Sequence, residues 1–245
     1  MNLHELFNNI TLIAQNQKNN TDKAAEIKNV VSLNGPKLKE YADFVFNKTK
    51  LNTYDSNLIT NKYNDKLSNK LMSLSNLNSD GYIAISVPSD GNCLFSTLSV
   101  LVFKDQKYQA YVRILIVYSY IKFENYFIDI CGLARERYLK LVIDASTLNA
   151  WGCGHDIGAF SLIVIRNFVT YELTHDECSV FTNNFNAYEA LNLVSKENQQ
   201  ITYLMIFFSS HFSPLLPINA KCVVSKSYPK NNHFKYTIDH ESISE

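Results

Sequence analysis

The chain has 245 residues, 46% hydrophobic and 13% aromatic, enough to bury a full core and too apolar for intrinsic disorder. Basic and acidic residues balance at 23 each, a formal net charge of +0, and no long run of one sign stands out, so neither nucleic acid nor a membrane surface is expected as a partner. The five cysteines (Cys93, Cys131, Cys153, Cys178 and Cys222) are odd in number and lack a CxxC pair, which argues against a disulfide framework and for a reducing, cytoplasmic compartment.

Residues 1–79 are polar and rich in asparagine, with helical patterning over 3–15, 22–33 and 36–47. Asn34-Gly35-Pro36 marks a break, and Leu67, Leu71 and Leu74 suggest one more helix. This part is expected to be a helical or partly disordered extension. From Gly81 the texture changes: residues 82–87 alternate as a strand, and Pro88 to Asn92 form a turn. Helices are expected at the apolar run after Cys93, over 109–127 and around 138–143, followed by the glycine-punctuated loop Trp151-Gly152-Cys153-Gly154 and a helix over 157–167. Strands are expected over 168–173, over 201–208 and over 214–218, and residues 221–245 read as a C-terminal strand or tail. The N-terminus lacks the basic and apolar regions of a signal peptide, and the most apolar stretches, 114–120 and 201–208, are too short to span a bilayer as helices. The expected class is α+β, a small central sheet flanked by helices, in a soluble protein of open oligomeric state.

Ser89-Asp90-Gly91-Asn92-Cys93 carries the most chemistry. Leu94, Phe95, Leu98, Leu101 and Val102 recur at helical spacing behind it, so Cys93 falls in the first helical turn. Unpaired N–H groups and the helix dipole there favour thiolate over thiol, and can hold an oxyanion. Gly91 leaves room for a close approach of substrate backbone. Locally, the pattern fits a buried free cysteine as well as a nucleophile.

A nucleophilic cysteine needs a histidine. His4 and His240 lie in polar terminal regions, and His155 and His175 follow a glycine loop and a strand. His211, at the end of an apolar strand that should be central, is preferred as base; His233 is the runner-up. Cys153-x-His155 with His175-x-x-Cys178 offers a rival zinc set, disfavoured by its tight C-x-H spacing.

Taken together, these residues resemble the ovarian tumour (OTU) family of cysteine proteases, most of which are deubiquitinases. Asp90-Gly91-Asn92-Cys93-Leu94-Phe95 is similar to the family's nucleophile motif, and Tyr111-Val112-Arg113 through Phe127 to its following helix. Trp151-Gly152 with Asp156-Ile157 resembles the tryptophan-glycine loop, and 201–208 with His211-Phe212 the terminal strand and its histidine-aromatic pair. The resemblance implies a papain-like OTU domain over 80–220, Cys93 as nucleophile, His211 as base, and Asp90, Gly91 and Asn92 as the oxyanion turn. It implies no metal or organic cofactor, and ubiquitin or a ubiquitin-like protein as partner, in the cytosol, the host's if the source is a virus or host-associated microbe. Many members carry Asp or Asn two residues after the histidine; here that residue is Ser213, leaving Ser213 or Asn219 as candidate orienters. The alternatives are an inactive OTU-like module that binds ubiquitin or another protein, and a protease that processes a viral-type polyprotein.

Overall fold

A computed structural model describes residues 2–48, 65–74, 81–173, 180–192, 202–208 and 210–217. The candidate residues His175, Cys178, Asn219 and His233 lie outside them. The fold is α+β, as expected.

Three helices come first: α1 (Leu3–Gln15), α2 (Asn20–Leu33) and α3 (Gly35–Lys48). Asn2 caps α1 in a reciprocal box with Glu5, and Asn19 caps α2 through the Asp22 N–H, so the asparagine-rich composition here serves helix starts. Their apolar faces, among them Leu6, Ile10, Ile27, Val31 and Leu38, join the same core as Leu98 and Leu115 further on. Residue 79 therefore marks a change of composition, while the packing runs across it. A short helix, α4 (Lys66–Leu74), precedes strand β1 (Tyr82–Ala84).

The helical layer continues with α5 (Cys93–Phe103), α6 (Gln109–Lys122), α7 (Arg135–Ser146) and α8 (Gly154–Val164). α5 ends where Lys104 turns left-handed at φ 65. The helix expected over 109–127 is interrupted: α6 stops at Lys122, and the chain resumes as a π turn over Tyr126–Ile130. Strands β2 (Asn167–Leu173), β3 (Val180–Phe185), β4 (Thr202–Phe208) and β5 (His211–Pro217) complete a mixed sheet of order β1-β5-β4-β2-β3, with a short helix, α9 (Ala187–Ala190), after β3. β4 lies at its centre, as the apolar run over 201–208 predicts. β2 and β4 are parallel and the other pairs antiparallel. The sequence reading missed β3, whose polar Thr182-Asn183-Asn184 suits an edge strand and gives no apolar run. β1 is shorter than the strand expected over 82–87; just beyond it the Ile85 N–H still bonds the sheet, at Pro214 O.

Candidate active site

The site lies where the start of α5 meets the start of β5. α5 is buried along Cys93–Val102, and Thr97 Oγ1 donates to the Phe212 carbonyl at 3.1 Å, which fixes the helix against the strand one residue from His211. His211 opens β5 opposite Phe208 of β4, after Ser210 in a left-handed conformation at φ 64. Two rigid elements therefore carry the two chemically active side chains.

Cys93 is 1% exposed. Burial pushes its thiol above the ordinary value, against the opposing pull of the Phe212, Leu94 and Cys93 N–H groups, which all favour the thiolate. Sequence reading expected the helix start to favour thiolate; desolvation outweighs it here, and the resting group is a thiol. His211, half-buried, is shifted the other way: burial lowers its pKa, and the nearby Asp65 carboxylate partly offsets this. The resting pair is thus neutral. His211 Nδ1 shares a 3.1 Å hydrogen bond with Ser89 Oγ, and the Cys93 thiol makes none to the ring.

The turn before Cys93 is held from inside and outside. Asp90 Oδ1 accepts the Asn92 N–H at 3.0 Å, so that N–H is committed, and the N–H groups of Cys93 and Leu94 are the ones that face the thiol. Asn92 Oδ1 accepts from Arg113 Nη2 at 2.7 Å and from the Asn149 N–H at 3.1 Å, while its Nδ2 donates to Asn149 Oδ1. Asn92 is therefore a bracket for the turn. Gly91 has φ +81, and a Cβ on it would sit 2.0 Å from the Asn149 carbonyl oxygen. The close approach that Gly91 permits is thus made by this chain's own backbone, where sequence reading expected substrate.

Arg113 joins the turn to the tryptophan-glycine loop. It is fully buried, donates to Asn92 Oδ1, to Ala150 O at 2.8 Å and to Gly91 O at 3.4 Å, and stacks its guanidinium 3.5 Å over Phe95. Burial lowers its pKa to about 10, with the charges of Asp156, Asp90 and Asp144 opposing, so it stays a cation at neutral pH. Gly152 packs on α5, since a Cβ there would meet Leu94 Cδ2 at 2.5 Å. Trp151 itself is 58% exposed: the glycine faces the helix and the indole faces solvent. Asp156 is the N3 acid of α8, accepting the Cys153 N–H at 2.7 Å and Tyr120 OH at 2.9 Å.

Ser213 is fully buried two residues along β5, yet it does not serve as an acceptor for the imidazole. Its hydroxyl donates to Asp65 Oδ2 at 2.7 Å. Asp65, which sequence reasoning missed, is the N-cap of α4: Oδ1 accepts the Ser68 N–H at 3.1 Å, and Oδ2 also accepts Ser68 Oγ at 2.7 Å. Asp65 and Asn69 both bond Ala84 of β1, and β1 pairs with β5, which is how α4 reaches the site. Among the described residues no group of three or more His, Cys, Asp or Glu is placed to hold a metal ion; Cys153 Sγ and His155 Nδ1 lie 3.8 Å apart at the start of α8.

The fold thus brings a cysteine at a helix start and a histidine at a strand start to the contact between α5 and β5. Solved structures similar to this chain are OTU domains. The OTU domain of OTUD1 matches at 17% identity and a TM-score of 0.48, over 61% of this chain and 99% of that one. The viral OTU domain protease from Farallon virus matches at 17% and 0.45, over 57% and 86%. The Hazara virus OTU, solved bound to ubiquitin, matches at 17% and 0.44, over 58% and 84%. No family model and no curated protein matches.

Proposed function

We propose that the protein is a cysteine-dependent deubiquitinase that hydrolyses isopeptide or peptide bonds after the C-terminal glycine of ubiquitin or a ubiquitin-like modifier. The observation that carries the reading is the placement of Cys93 Sγ among the N–H groups of Phe212, Leu94 and Cys93, Phe212 being the residue after His211 on β5. The choice of modifier rests on the resemblance of residues 90–95, 151–152 and 211–212 to the OTU motifs. Because the resting pair is neutral, His211 takes the thiol proton as Sγ attacks the glycine carbonyl. The N–H groups at the start of α5 hold the oxyanion. His211 then protonates the leaving amine, and water hydrolyses the thioester, with the imidazole as base again. Asp90 serves by holding the turn.

A second reading, a non-catalytic module that binds ubiquitin, is favoured by one observation: His211 Nδ1 bonds Ser89 and leaves the thiol unengaged. Ubiquitin bearing a C-terminal electrophile separates the two. The proposed enzyme forms a covalent adduct at Cys93, absent in Cys93→Ala and slowed at least about tenfold in His211→Ala. Tight binding of ubiquitin without adduct formation would establish the second reading.

A further inference from the structure

We propose that Asp65 is the acidic positioning residue of His211, a carboxylate delivered by the N-terminus of α4 to the place where Ser213 leaves the strand without an acid. This rests on the reading of His211 as base. Ser213, two residues after His211 on β5, is fully buried and carries no charge that could support an imidazolium. The hydroxyl instead points its proton at Asp65 Oδ2, 2.7 Å away, across 148 residues of sequence. Ser68 holds the same carboxylate through its N–H and its hydroxyl, so Asp65 receives three hydrogen bonds and has one fixed orientation.

The groups that face the imidazole are few. Ser89 of the turn bonds the ring, and Asp65 of α4, tied to Ser213 two residues further along the same strand, acts on it through its charge; Asp90 acts on the Cys93 thiol. Among the described residues Asp65 is the charged group that acts on the ring, and the effect is mutual. Burial opposes the ionised form of Asp65, but the bonds from Ser213 and Ser68 and the charge of His211 together hold it below its ordinary value. Burial lowers His211, and Asp65 raises it in turn. The carboxylate therefore stabilises the imidazolium at the moment the ring accepts the thiol proton, the task an acid on β5 itself would perform.

Asp65→Asn keeps the N-cap through Oδ1, because asparagine caps as well as aspartate, and removes the charge; its Nδ2 is a donor, so the Ser213 and Ser68 hydroxyls turn to accept from it. The ring titration of His211, followed by NMR and assigned by its loss in His211→Ala, is expected to move to lower pH by about half to one pH unit. The acid limb of activity on ubiquitin substrates moves the same way, and kcat falls about tenfold with KM unchanged. In the double variant Asp65→Asn/Ser213→Asp the acid is restored from the strand, and titration and kcat return toward wild type. An unchanged His211 titration in folded Asp65→Asn overturns the proposal. A shifted titration in a protein that ubiquitin electrophiles never label upholds the Asp65 assignment and sinks the deubiquitinase reading instead.

Discussion

Arg113→Met is expected to lower the unfolding free energy by about 3–5 kcal/mol, read as a fall in the urea midpoint, and to slow labelling of Cys93 even under conditions where the variant is folded. The guanidinium is the common partner of three acceptors at the site, the side chain of Asn92 and the carbonyls of Ala150 and Gly91, and of a fourth on α7, the Asp144 carbonyl at 3.3 Å. Methionine fills similar volume but donates to none of them: Asn92 Oδ1 keeps only the Asn149 N–H, and the carbonyls of Ala150 and Gly91 lose the donor that the guanidinium supplies. A cation that balances Asp156, Asp90 and Asp144 is lost as well. The activity effect is separate from the stability effect, because the acceptors belong to the turn before Cys93 and to the loop that carries Trp151. With the two no longer tied, the N–H groups at the start of α5 lose their fixed bearing on the thiol. Arg113→Lys tests this geometry: it keeps the charge but cannot reach three acceptors, and it should recover less than half of the lost stability. A midpoint for Arg113→Met within about 0.5 kcal/mol of wild type would mean that the loop is held by packing alone.

The parts of the site that were legible in the sequence are those with short-range signals. Cys93 stands at the junction of turn residues and a helical apolar run, and the central strand β4 is a run of Thr-Tyr-Leu-Met-Ile-Phe-Phe that fits a strand buried on both faces. The helices expected over 3–15 and 22–33 were legible from their patterning, and the structure starts them at Leu3 and Asn20. What was not legible depends on partners far away in sequence. Asp65 is an ordinary cap of a short helix until the fold brings it to Ser213, and nothing near either residue encodes the meeting. The tie of Asn92 and Gly91 to Asn149 was not legible for the same reason: Asn149 lies 57 residues from Asn92, and its left-handed backbone at φ 64 presents its carbonyl and its amide to the turn. The direction of the Cys93 shift was missed because helix-end electrostatics can be read from a pattern, whereas the depth of burial that outweighs them is a property of the packed core.

Gly91→Ala is expected to be the most damaging single methyl group in the molecule, costing roughly 2–5 kcal/mol and most of the reactivity of Cys93. Two independent penalties meet at this residue. Its φ of +81 is a conformation that alanine adopts only under strain, and the added Cβ would lie 2.0 Å from the Asn149 carbonyl oxygen and 2.7 Å from the carbonyl carbon. The obstacle is backbone, so no side-chain rotation relieves it. Either the turn or the 147–150 loop must move, and the Asn92–Asn149 bonds oppose both movements. Because Cys93 is only two residues on, a displaced turn carries the start of α5 with it. Asn149→Gly in the Gly91→Ala background discriminates between the two penalties: it removes the side-chain bond and frees the loop backbone, so it restores reactivity in part if the clash dominates. If left-handed strain at residue 91 dominates, the double variant is no more reactive than Gly91→Ala, and less stable by the lost Asn92–Asn149 bond.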